Sequence, residues 1–228
     1  MATGTSLATE VRRTLHDEDS SAYRWSDAEL IDYINAGQRV IVTLVPQANP
    51  VEEVVTISND IARQSLPAGG IKFIKVARNY ADDGTTPQGP VTYVEKYVLD
   101  RFDPDWEYDT ALKADGDNFF VHYAHDKREP TVYYLYPPQA AANKKVAIVY
   151  ADNPDEITAL SDTLSLGDEY YEALVKYVEF RALTKEGRES MPSAYRDGLW
   201  NQVLQALGLK TKADDSVSPE NNIPPEGA

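Results

Sequence analysis

The chain of 228 residues has no cysteine, which excludes disulfides and any cysteine-ligated zinc or iron–sulfur centre. Histidine is nearly absent, with only His16, His122 and His125. Positive charge is scarce as well. Twenty-two lysines and arginines face 37 aspartates and glutamates, a formal charge of −15 with an isoelectric point near 4.6. That balance argues against a protein that reads DNA through phosphate contacts. Long apolar runs are missing, and Met1 to Thr14 mixes small, polar and charged side chains. Neither a membrane-spanning helix nor a secretory signal is expected. The phosphate-cradling patterns G-x-x-x-x-G-K-[ST] and G-x-G-x-x-G do not occur, nor does the G-x-S-x-G nucleophile elbow.

What is present is ordinary for a folded protein: 42 % hydrophobic and 26 % charged residues, with enough length for a real core. The acidity is uneven. Residues 1–50 hold seven acids and four bases, residues 51–151 fifteen and eleven, and residues 152–228 fifteen and seven. In the middle third, seven acids crowd between Asp100 and Asp117 against only Arg101 and Lys113.

Periodicity divides the chain into three parts. Leu7, Val11 and Leu15 recur every four residues and predict a helix from about Ser6 to Leu15. Ser26 and Glu29 have the spacing of a capping box, followed by a stripe of Leu30, Ile31, Ile34, Gln38, Ile41, Leu44 and Val45 that ends at Pro46. Gly37 inside this helix costs roughly 1 kcal/mol against alanine, which points to a close neighbouring helix or a ligand, the helix being the more ordinary reading. From Val51 onward the residues alternate or are β-branched and aromatic. Strands are predicted at Val54–Ile57, Gln64–Leu66, Ile71–Arg78, Val91–Leu99, Phe119–His125, Thr131–Tyr136 and Lys145–Tyr150. A long loop is expected from Asn79 to Pro90. Helical spacing returns at about Leu166 to Gly187 and Ser193 to Leu207, with Gly208 as the expected stop. The last residues carry acids and prolines without hydrophobic period, the pattern of a tail that is disordered in isolation.

The expected fold is therefore α+β: a discontinuous helical bundle of N- and C-terminal helices, an inserted antiparallel β-sandwich or barrel-like domain, and an extended C-terminal tail. Its boundaries are 1–50, 51–151, 152–208 and 209–228.

Candidate chemistry is thin. His122 and His125 are three apart on a predicted strand, so they face opposite sides and do not form a metal pair. Asp103, Asp105 and Asp109, or Asp115-Gly116-Asp117-Asn118, could begin a calcium loop, but the bidentate glutamate such a loop needs is absent. Tight turns explain them better. No catalytic residue, cofactor or metal site is assigned. Aromatic content is the other excess: Tyr93, Tyr97, Tyr123, Tyr133, Tyr134 and Tyr136 fall on predicted strands. Such rings suit sheet packing, a protein interface or a carbohydrate-binding module, the alternative function. Trp106 stands in the acidic loop Asp103-Pro104-Asp105-Trp106, where a large ring docks either on its own domain or on a partner.

The order of signals carries a resemblance. Trp25-Ser26-Asp27-Ala28-Glu29-Leu30-Ile31-Asp32-Tyr33-Ile34-Asn35 opens the main helix, and Ile71 to Asn79 follows a Leu66-Pro67 turn. Leu99-Asp100 leads into Pro104-Asp105-Trp106, and Tyr134-Leu135-Tyr136-Pro137-Pro138 ends a strand. Asp168, Tyr170, Ala173 and Leu174 then enter a helix running to Arg181-Ala182. Together these resemble the head-to-tail adaptor, or connector, proteins of tailed bacteriophages, particularly short-tailed ones.

The resemblance implies a structural virion protein and no enzyme. Such a protein is assembled in the host cytoplasm and sits at the head–tail junction as a ring, commonly a dodecamer, of identical subunits under the portal protein. It prolongs the DNA channel and docks tail nozzle and tail fibre proteins. Double-stranded DNA is then a non-specific passenger, which acidic residues on the lumen would help to slide, and no membrane is involved. On that plan Leu30, Ile34, Ile41, Tyr171, Leu174 and Val178 are expected at the subunit interface. Leu209, Lys210, Val217, Pro219, Ile223 and Pro224 would dock on the portal. Trp106, Asp103, Asp105 and Tyr80 would meet tail components.

Overall fold

The computed structural model describes residues 1–58, 61–108, 120–138, 144–186 and 192–217. In chain order its elements are α1 (Gly4–Thr14), α2 (Asp27–Leu44), β1 (Pro50–Thr56), β2 (Arg63–Ser65), β3 (Gly70–Tyr80), β4 (Pro87–Pro90), β5 (Thr92–Tyr93) and α3 (Lys96–Phe102). There follow β6 (His122–Ala124), β7 (Val132–Tyr136), β8 (Lys145–Asp152), α4 (Tyr171–Glu186) and α5 (Ser193–Val217). The chain is a mixed α+β protein with five described helices and two four-stranded sheets. It separates into two units, one of Met1–Asn49 with Pro154–Ala228 and one of Pro50–Asn153. Among the described residues no helix is long and apolar enough to cross a membrane.

In the helical unit, α1 begins with a capping box that the sequence pattern did not single out. Thr3 Oγ1 accepts from the Ser6 N–H at 3.3 Å, and Ser6 Oγ accepts from the Thr3 N–H at 3.2 Å. At α2 the predicted box is only half formed. Ser26 Oγ accepts from the Glu29 N–H at 3.3 Å, but the Glu29 carboxylate turns to the Tyr33 hydroxyl and the Lys185 ammonium instead. A buried Arg12 joins the two helices, donating to Asp17 at 2.7 Å, Asp27 at 2.8 Å and the Trp25 carbonyl at 2.9 Å. A Cβ on Gly37 would lie 2.5 Å from Leu174 Cδ1 and 2.7 Å from Tyr177 Cδ1. The glycine therefore lets α4 approach α2, the neighbour its position implied.

The other unit holds both sheets. One has the order β1-β8-β3-β4 and is antiparallel throughout; the other is β2-β7-β6-β5, with β5 and β6 parallel. Phe73, Val76, Val146, Ile148 and Tyr150 of the first sheet share a buried cluster with Tyr133 and Leu135 of the second. At its centre the Phe73 and Tyr133 rings stack at 4.9 Å. Buried Asn79 closes one side, donating to the Phe120 carbonyl at 2.9 Å and accepting from its N–H at 3.2 Å. Neither sheet closes into a barrel, and one is mixed, so the expected wholly antiparallel domain is corrected.

Four boundaries differ from the sequence reading. Val91–Leu99 is not one strand: after two residues of β5 the chain turns into α3. Leu99 packs there with Trp106, Val132 and Tyr134, and this burial overrides the β-propensity of Tyr97 and Val98. Asn79–Pro90 is a hairpin rather than a long loop, because Asp83 ties the turn by accepting from the Thr85 and Thr86 N–H groups at 2.8 and 3.0 Å. Gly84 supplies the left-handed φ of 72° this turn needs. α4 begins at Tyr171 after a single 3₁₀ turn, Asp168–Tyr170. α5 runs through Gly208 to Val217, since one glycine weakens a helix without ending it.

Candidate functional site

The residues expected at a subunit interface are already packed. Leu30, Ile34, Ile41, Leu174 and Val178 are all buried within the helical unit of the single chain, and only Tyr171 is partly exposed. The apolar face of α2 is used against α4, as the Gly37 contact requires. They are core residues, and an apolar stripe cannot by itself separate core from interface.

Of the residues expected to dock on the portal, Leu209, Lys210 and Val217 fall on the C-terminal stretch of α5. Pro219, Ile223 and Pro224 lie outside the described residues. The disordered tail expected from residue 209 is corrected as far as Val217, where the backbone is helical.

Trp106 is 0 % exposed. Its ring docks on its own domain, edge-on to Tyr134 and Tyr136, and its Nε1–H donates to Asp100 Oδ1 at 2.9 Å. The side chain is a core group and is not available to a tail component. Asp103 and Tyr80 are half-buried, whereas Asp105 is exposed. The second half of the acidic loop, from Asp109 onward, lies outside the described residues.

α3 carries a surface that the sequence reading missed. Tyr97 is 67 % exposed and Phe102 83 % exposed, with Val98 beside them on the helix and Tyr108 at 82 % just beyond it. Part of the signal lay in the spacing: Leu99 turned inward leaves Tyr97 and Val98 on other sides of the helix, whereas Phe102, three residues on, shares the side of Leu99 and is exposed at the helix end. Next to this surface, Tyr93, Glu95, Lys96 and Tyr97 line a shallow cavity with His125, Asp126, Lys127 and Arg128. Of the six tyrosines considered for a sugar platform, Tyr133 and Tyr134 are buried, Tyr123 and Tyr136 half-buried, and only Tyr93 and Tyr97 exposed.

Perturbed ionisations have local structural causes. Backbone donors at Thr86 and Thr85 hold the Asp83 carboxyl well below its usual range. The Ala159 and Thr158 N–H groups lower Asp162. Burial pushes the Tyr133 hydroxyl up, and burial with Glu29 pushes Tyr33 up to about 12. Tyr33 alone of these has another titratable side chain as its hydrogen-bond partner, Glu29, and that pair links α2 to Lys185 of α4. Among the described residues no three His, Asp or Glu side chains are placed to hold a metal ion. His122 Nδ1 meets Thr92 Oγ1 at 2.7 Å, and His125 Nδ1 meets the Val132 carbonyl at 2.8 Å. Asp109 and residues 115–118 lie outside the described residues.

The arrangement thus consists of surfaces and packed cores. The family model described as SU10 adaptor protein matches residues 2–223. No curated protein matches the chain.

Proposed function

The chain belongs to the SU10 adaptor protein family, a family of structural phage proteins, and on that premise we propose that it is a head-to-tail adaptor. In this reading identical copies form a ring, dodecameric in our expectation, beneath the portal protein at the head–tail junction. The ring extends the DNA channel and carries nozzle and fibre proteins. The observation that carries the proposal is the match over residues 2–223, which takes in both units.

Physical features support it. The exposed aromatics of α3 have the composition of a protein-binding surface, since tyrosine and phenylalanine are enriched at interface cores. We assign them the nozzle or fibre contact, with Asp103, Asp105 and Tyr80 nearby in sequence. The C-terminal segment, including Leu209, Lys210, Val217, Pro219, Ile223 and Pro224, is assigned to the portal. A net charge of −15 keeps free copies apart until the portal gathers them, and lets DNA pass without being held.

Co-sedimentation with DNA-filled, tail-less heads tests the reading. The full chain is expected in the pellet at a fixed stoichiometry, and a chain ending at residue 217 is expected to bind less. A full chain that stays in the supernatant would overturn the assignment.

A further inference from the structure

The four strands at the ends of the two sheets differ in how they treat their free edge. β4 is bounded by Pro87 and Pro90, which have no N–H to offer, while β5 has two residues and β2 three. Proline and shortness are the ordinary ways to blunt an edge. β1 has seven residues and neither device along its length beyond Pro50. Among the described residues it pairs only with β8.

The register says which backbone groups are free. The Ile57 N–H donates to the Lys144 carbonyl at 2.9 Å, continuing the β1–β8 ladder. Alternation along an antiparallel pair then turns the N–H and C=O groups of Val55, Glu53 and Val51 toward β8. Those of Thr56, Val54 and Glu52 point away from the sheet. Glu52 and Thr56 are exposed and Val54 half-exposed. Beside this edge runs a groove of about 520 Å³ lined by β1 residues Glu53 to Thr56, by exposed Ile61, and by Arg63 to Pro67 of the other sheet's edge.

Charge narrows what could add there. Glu52 makes no ion pair among the described residues, and the Glu53 carboxylate accepts from the Tyr150 hydroxyl at 2.7 Å. Two adjacent carboxylates on a chain of −15 disfavour a second copy and favour a strand bearing lysine or arginine. We propose that β1 is a docking edge for an extended, basic segment of another protein, which adds to the sheet through the outward backbone groups of Glu52, Val54 and Thr56. Main-chain hydrogen bonds would supply the attachment, and side chains facing the groove would supply selectivity.

The test uses the full chain and blocked seven-residue peptides. One alternates lysine and valine, one alternates glutamate and valine, and one is the lysine peptide with its central valine replaced by proline. The lysine peptide is expected to shift the amide resonances of Glu52, Val54 and Thr56 and to slow their hydrogen exchange about tenfold at saturation. Val54→Pro removes an outward donor without touching the β8 ladder and should weaken binding at least about tenfold. Val54→Thr keeps that donor and should bind as the parent does, which separates edge blocking from misfolding. Equal binding of the proline or glutamate peptide would overturn the proposal, because charge or stickiness alone would then explain it. Full binding by Val54→Pro would overturn it too. So would a β1-dependent dimer of the free protein, because the edge would then belong to a second copy.

Discussion

The side-chain amide of Asn35 closes a two-way bond with the backbone of Ile157, donating to its carbonyl and accepting from its N–H, each at 2.9 Å. The residues are 122 apart in sequence, and the whole β-unit lies between them. One turn further along α2, buried Gln38 accepts from the Ser165 N–H at 3.0 Å. Two buried amides thus satisfy an irregular segment that makes little regular secondary structure of its own, and so join the halves of the discontinuous unit.

Replacing Asn35 by leucine orphans two buried backbone groups. A loss of roughly 2–4 kcal/mol is expected, read as a lower urea midpoint of the helical unit. An unchanged midpoint would remove Asn35 from this role.

Gly37→Ala forces a methyl group into Leu174 and Tyr177. The clash should cost about 1–3 kcal/mol despite alanine's better helix propensity. Combining it with Leu174→Ala should recover part of that loss, and a strictly additive double mutant would contradict the contact.

Glu29 links pH to the α2–α4 contact. Bonds from Lys185 and Tyr33 hold its carboxyl below the ordinary 4.5. A depressed folded value stabilises fully above the unfolded value, and the contribution is lost as pH falls through the folded one. Parent and Glu29→Gln should therefore differ in urea midpoint at neutral pH and converge as pH falls below 4.5 through the depressed folded value. Tyr33 has the opposite sign: raised to about 12, it loses its contribution as pH climbs from its ordinary 10 toward that value. Tyr33→Phe should flatten that alkaline arm.

Trp106 and Phe102 separate core from surface. Trp106→Ala should destabilise the β-unit by about 3–5 kcal/mol, with Asp100 losing its donor as well. Phe102→Ala or Tyr97→Ala should leave the unfolding midpoint within about 0.5 kcal/mol of the parent while weakening capture of nozzle or fibre protein. Strong destabilisation by Phe102→Ala would mean the ring is covered within this chain.

Much of the fold was legible because its determinants are local. The Ser26 cap, the α2 stripe and the β-branched and aromatic runs of β3, β7 and β8 each state their element without help. Gly37 even announced its neighbour. What was hidden depends on contacts distant in sequence. Tyr97 and Val98 favour a strand, and only the burial of Leu99 against Trp106, Val132 and Tyr134 makes α3 a helix. The acidic run left Trp106 to dock on either its own domain or a partner, although its one polar atom had Asp100 within reach. The apolar face of α2 could equally have met a neighbouring subunit. Contacts with α4 in the same chain decided otherwise, so the ordered motifs revealed the family better than they revealed interface residues.

The central claim is assembly on a portal, and imaging tests it most directly. Portal rings incubated with the purified chain should show, by cryo-electron microscopy, a second coaxial ring with the DNA channel continued through it. Portal rings that remain bare at saturating chain, with the chain itself still monomeric, would contradict the account.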